Sequence, residues 1–135
     1  MVFSIPDELK QIKAKVRQMV DTELKPHDQA IEESRHIPPQ ALEAIREIGL
    51  FGTLIPSEYG GLGHGMLGNC LVIEEMAEAH IAYFYTYSMS VQIASKGIEL
   101  YGSAEPRRRW LMNDRGRRVV KLSKRKKCRK IKGFR

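Results

Sequence analysis

The sequence has little of what staples, anchors or metallates a small protein. Its two cysteines, Cys70 and Cys128, form no C-x-x-C pair and no Cys/His ligand spacing, so neither a disulfide framework nor a zinc site is expected. His27, His36, His64 and His80 show no i, i+4 ligand pair, which argues against metal binding on a helix face. No apolar run approaches the ~20 residues that a transmembrane helix needs. The start, Met1 to Pro6, lacks a basic region followed by an apolar stretch, so no secretory signal is expected and a cytoplasmic, reducing location is. Strand-like alternation and internal repeats are missing too.

Acidic residues are nearly missing from one end. Residues 106–135 carry 15 Lys and Arg against a single Asp, a net of +14, whereas residues 1–105 carry 8 basic and 15 acidic residues, a net of −7. The formal +7 of the whole chain therefore describes neither part. A basic block can bind nucleic acid or an anionic membrane surface. Phe134 is the only aromatic in residues 115–135, so the stacking platform of a single-strand binder is missing. Charge blocks of this kind normally stay solvated, and a disordered tail is expected from residue 112 onward.

What is present is helical periodicity. Leu9, Ile12, Val16, Met19, Val20 and Leu24 fall at three- and four-residue steps, which predicts one apolar stripe on a helix over residues 6–25. Pro6 suits its first turn, Ser4 or Asp7 its cap, and Pro26 its end. Pro38-Pro39 opens a second helix with Leu42, Ile45 and Ile48 on one face and Gly49 as its stop. Ser57–Gly68 holds five glycines and reads as a loop. Helical pattern resumes near Asn69. A further helix is expected over Tyr85–Leu100, with Val91, Ala94, Ile98 and Tyr101 toward a core. Ser103 then suits the N-cap of a last helix carrying Trp110 and Leu111. The expected fold is all-α, a bundle of about five helices over residues 1–111, followed by a basic tail over 112–135.

The motifs that could carry chemistry are weak when taken singly. Gly63-His64-Gly65-Met66-Leu67-Gly68 matches G-x-G-x-x-G, but no strand precedes it, and position 88, where a ribose-binding acid would stand, is Ser. No Lys-Ser or Lys-Thr follows, so a P-loop fails. Glu74 and Glu75 are adjacent on a helix and point about 100° apart, which predicts one buried or capping carboxylate and one solvated one. Ser88 and Ser90 lack a G-x-S-x-G elbow. The cluster Tyr83-Phe84-Tyr85-Tyr87 suits core packing, or the wall of an apolar ligand pocket.

Several stretches together resemble the first domain of acyl-CoA dehydrogenases: Glu23-Leu24-Lys25-Pro26, Ile48–Gly52, Ile55-Pro56-Ser57-Glu58-Tyr59-Gly60-Gly61-Leu62-Gly63, Glu74–Ala77, and Tyr101–Glu105 with Arg107–Leu111. The resemblance covers about residues 3–111. It implies FAD-dependent α,β-dehydrogenation of an acyl-CoA thioester. In the family, FAD and the catalytic base belong mainly to later domains, which have no counterpart here. No catalytic residue is therefore expected in this chain, and it should be inactive alone.

The first domain's share is one wall of the acyl pocket. By resemblance that wall comprises Tyr85, Thr86, Met89 and Ser90, with acyl-CoA as the partner and a homo-oligomer left open. Met89-Ser90-Val91-Gln92 is similar to the glutaryl-CoA branch, where an Arg stands in place of Thr86. Thr86 therefore implies a neutral acyl group, since a buried distal carboxylate needs a cation. Two departures stand out. Pro106 replaces the Gln that completes the family's capping box, and similarity stops after Leu111, as a frameshift or an aberrant gene end would produce.

Overall fold

A computed structural model of the chain describes residues 4–111. The expected tail over 112–135 lies outside the described residues, as does any structure it forms. Among the described residues there are helices and turns and no strand, and no helix is long and apolar enough to cross a membrane.

Helix α1 (Asp7–Met19) continues through a π-helical turn, Val20–Leu24, and a 3-10 turn, Lys25–His27. The predicted stripe is the buried face: Leu9, Val16, Met19, Val20 and Leu24 are buried, and Ile12 packs against them. Neither Ser4 nor Asp7 caps the helix. Pro6 holds the N-cap position with no side-chain cap bond, and Asp7 pairs with Lys10 at 2.8 Å instead.

Pro26 changes the helix rather than ending it. It sits in the first turn of the 3-10 segment, where its missing N–H costs nothing, and the chain runs on into α2 (Asp28–Ser34). The sequence reading missed α2 because Ile31 is its only buried residue and one apolar position makes no periodicity.

Helix α3 (Pro39–Glu47) starts at the Pro pair and ends before Gly49, whose φ of 79° is the left-handed geometry of a glycine stop. Its inward face is rotated from the expected one: Ala41 and Ile45 are buried, while Leu42 and Ile48 are only partly so. After a 3-10 turn at Leu50–Gly52 the glycine-rich segment folds back on itself. Leu62 N–H donates to Gly52 O at 2.8 Å, His64 N–H to Thr53 O at 3.0 Å and Gly63 N–H to Ile55 O at 3.0 Å. A Cβ at Gly61 would overlap the Ile55 carbonyl, so the glycine makes the close return possible. The loop ends early: α4 spans Gly65–Met76, four residues ahead of the expected start.

Helix α5 (Ile81–Ser88) passes without a break into a π-helical stretch, Met89–Ser95, and then α6 (Lys96–Tyr101). It too begins earlier than predicted, at Ile81. Val91 and Ala94 are buried as expected, but Tyr101 is 88% exposed. The extended geometry of Gly102 ends the helix right after Tyr101, at a point where little packs beside it. The last segment, α7 (Ala104–Pro106), leads into a π-helical turn, Arg107–Leu111, with Leu111 buried. Ser103 occupies the N-cap position but makes no side-chain cap bond. This agrees with Pro106, which has no N–H to offer it.

Helices α1 and α4 carry much of the core contact. Glu8 lies near His64 and Arg17 against Glu75, so partners advance along both helices in one direction and the two run parallel. As the adjacent pair predicts, Glu74 is exposed and Glu75 buried. Glu75 is 1% exposed. Its Oε2 accepts from Arg17 Nε at 2.6 Å, and its Oε1 lies 3.5 Å from Lys13 Nζ. A buried carboxylate is tolerable only when cations offset its lost hydration, and two α1 cations do so here. Glu75→Gln should lower stability by about 1.5–3 kcal/mol, the value of a hydrogen bond to a charged group. Urea unfolding at pH 7 checks this, and an unchanged midpoint would contradict it.

Candidate functional site

Helix α5 owes its orientation to two tyrosines. Tyr83 and Tyr87, four residues apart, both have 0% exposure. The Tyr83 hydroxyl donates to Leu24 O at 3.2 Å, where the α1 continuation changes pitch. The Tyr87 hydroxyl donates to Asn69 Oδ1 on α4 at 2.9 Å, and its ring lies 6.5 Å from that of Phe51. Both phenols are therefore buried with their polar ends satisfied. Burial, joined by the negative charge of Asp28, pushes Tyr83 up to about 12. Burial moves Tyr87 in the same direction.

With those two side chains inward, the helical period turns others outward. Ile81 is 57% exposed, Tyr85 60%, Met89 46% and Ile93 54%, at four-residue steps. Thr86 is half-buried beside this stripe. Of the four residues named from sequence, Tyr85 and Met89 lie on the open face and Thr86 at its margin. Ser90 is different: it is buried and its hydroxyl donates to Thr86 O at 2.9 Å, within the helix.

The sequence reading missed the π-helical stretch. Its wider turn is marked by Ser95, whose hydroxyl donates to Ser90 O five residues back at 2.8 Å. Wide turns of this kind often fall at functional sites. Ile81 and Ile93 were not named from sequence either, although their four-residue spacing with Tyr85 and Met89 was visible.

A small cavity of about 280 Å³ lies at the start of this face, between Ile31, Glu32 and Arg35 on one side and His80, Ile81 and Ala82 on the other. A cleft of about 540 Å³ lies between α1 and α3, lined by Lys15, Gln18, Glu23, Glu43 and Glu47 together with the apolar Met19, Ala44 and Ile48. The G-x-G-x-x-G segment spans the end of the loop and the first turn of α4. Gly63 and Gly65 both have φ of 64° there, and with no strand before it the dinucleotide reading fails. Among the described residues no group of three His, Cys, Asp or Glu side chains is placed to hold a metal.

Residues 6–113 match the family profile described as acyl-CoA dehydrogenase, N-terminal domain. The chain is 30% identical over 104 residues to the probable acyl-CoA dehydrogenase FadE25 of Mycobacterium tuberculosis, covering 77% of this chain and 26% of that one. It is 32% identical over 114 residues to a glutaryl-CoA dehydrogenase of Desulfococcus multivorans, covering 82% and 29%. Among solved structures, a glutaryl-CoA dehydrogenase in complex with glutaryl-CoA superposes with a TM-score of 0.78 at 30% identity, over 86% of this chain and 30% of that one. Butyryl-CoA dehydrogenase from Megasphaera elsdenii shares the fold, with a TM-score of 0.75 at 18% identity, over 86% and 31%. The chain thus spans between a quarter and a third of the length of these relatives.

The two buried phenols give a pH dependence. Tyr83 is neutral in the fold up to about 12 but has an ordinary value of 10.0. Its contribution to stability is whole below pH 10 and is lost as the pH rises from there toward 12. By pH 12 the loss should be on the order of 2 kcal/mol. Urea midpoints at pH 9 and 11.5 check this, and a Tyr83→Phe protein that fell as steeply as the parent would contradict it.

Proposed function

The chain belongs to the acyl-CoA dehydrogenase family, and from that premise we propose that its α5 and the following π-helical stretch form one wall of an acyl-CoA pocket. The observation that carries this reading is the stripe Ile81, Tyr85, Met89 and Ile93, left open on a helix whose opposite face is fully packed. Four large apolar residues facing water in a row are expected where another surface covers them. Aliphatic and aromatic side chains with a hydroxyl close by suit an acyl chain. Tyr85 and Met89 would lie against the chain, with Thr86 at its edge. Ser90 would act from behind by holding the Thr86 carbonyl.

In family members the flavin is FAD, which accepts the hydride removed from the substrate. The described residues offer it no cluster of polar groups at this face, and the parts of the family fold that bind FAD and supply the base have no counterpart in these residues. The chain alone is therefore inactive in this reading: it binds and shapes one side of the acyl group and excludes water there.

Thr86 carries no charge. A distal carboxylate closed into the pocket would remain unpaired at a cost of several kcal/mol, so the acyl group is a neutral one. A hybrid enzyme with residues 6–111 in place of the first domain of a full-length member tests both statements. It should oxidise simple acyl-CoAs faster than glutaryl-CoA, and Thr86→Arg should shift that preference toward glutaryl-CoA at least tenfold. Faster turnover of glutaryl-CoA with Thr86 in place would contradict the neutral-acyl reading. Substrate preference untouched by changes at Tyr85, Thr86 and Met89 would contradict the pocket wall itself.

A further inference from the structure

Helix α5 is entered through a histidine bonded on both ring nitrogens. His80 Nδ1 accepts from Ala82 N–H at 3.1 Å, serving as the side-chain N-cap of α5. Its Nε2 lies 2.9 Å from Glu32 Oε1 on α2. Its backbone N–H donates to Asp28 Oδ1 at 3.1 Å, also on α2. The partners determine the tautomer. An amide N–H can only donate and a carboxylate can only accept, so the proton sits on Nε2 and Nδ1 is bare. Only the neutral ring can make both bonds at once.

We propose that His80 is a positioning residue that sets the start of α5 as the neutral imidazole and lets go of it when protonated. An added proton has one place to go, Nδ1. There it would face the Ala82 N–H, donor against donor, and the cap is lost. The ring stays with α2, because Nε2–H still bonds Glu32, now as an ion pair. Protonation thus moves the ring's attachment from two helices to one.

The charged groups around it act in both directions. Glu32 and Asp28 on α2 attract the imidazolium, and Glu78, just before His80 in sequence, adds a third carboxylate. Arg35, the left-handed residue that follows α2, lines the same small cavity as Glu32 and His80 and opposes them. Lys25, 3.9 Å from Glu78, offsets that carboxylate. Glu32 is 64% exposed, so the gain from an ion pair with it is small and does not replace a helix cap. Tyr83, in the first turn of α5, stays neutral far into the alkaline range and still holds that turn to Leu24. The release is therefore confined to residues 81 and 82 and the side chains that follow them on the open face.

The inference needs only the geometry at His80 and stands whether or not the open face binds an acyl group. It is tested on the full chain by ¹⁵N NMR between pH 8 and pH 5. The ring nitrogens of His80 should report a bare Nδ1 at pH 8. As the ring protonates, the Ala82 amide signal should move in step with it. Ala82 exchange protection, corrected for the intrinsic rate, should fall about fivefold, the factor that loss of an ordinary side-chain cap represents. In His80→Asn, which keeps a cap acceptor but cannot titrate, Ala82 protection should stay constant over that range. A neutral ring carrying its proton on Nδ1 would overturn the proposal, as would Ala82 protection unchanged by ring protonation or an Asn variant that follows the same pH course. If the Asn variant does not fold, the two wild-type measurements still decide between these outcomes.

Discussion

The open face depends on the rotation of α5, and that rotation is held by two buried phenols. Tyr83 reaches the Leu24 carbonyl and Tyr87 reaches the Asn69 amide. Turning the helix by one residue would pull both hydroxyls off their partners inside the core, where an unmet polar group costs far more than a surface one. Because the inner face cannot turn, Tyr85 and Met89 cannot turn inward. A bundle stabilised by apolar contact alone would hold that face less firmly, since dispersion and burial have little direction.

The same two bonds tie α5 to the other parts of the bundle. Leu24 ends the long first helix at its π-helical turn, and Asn69 lies on α4, which runs parallel to α1 under the Glu75 pair. The glycine-rich loop before α4 closes the arrangement through backbone bonds between residues 52–55 and 61–64. The Ile55–Gly63 stretch that most resembles the family is therefore scaffold. Its glycines permit a tight return and place α4.

Much of this was legible in the sequence. Long stripes were read correctly, because burial on one helix face leaves its period in the residue order: the stripe of α1 and the positions of Val91 and Ala94 are examples. The Glu74–Glu75 pair divided as helical geometry requires. Short elements were not legible. α2 is anchored by one apolar residue and by its junction with α5, information that lies some 50 residues away at His80. Helix starts at Gly65 and Ile81 were placed late, because the first turn of α4 is exposed and α5 is capped by a histidine, a residue type outside the usual N-cap set. Tyr101 was assigned to the core by type, and its neighbours leave it in solvent. At the candidate site, Tyr85, Thr86 and Met89 came from family resemblance, and the four-residue spacing of Tyr85 and Met89 with Ile81 and Ile93 was there to be seen. The burial of Ser90 and the π-helical widening beside it depend on backbone geometry that composition does not carry.

In the proposed role the described residues are one wall of a site whose flavin and catalytic base come from elsewhere in the family's fold. The most direct test is the visible absorption spectrum of the purified chain, with dye-linked oxidation of an acyl-CoA assayed on the same sample. The expected result is a colourless protein with no bound flavin and no turnover. A yellow protein carrying stoichiometric FAD and oxidising an acyl-CoA would contradict it.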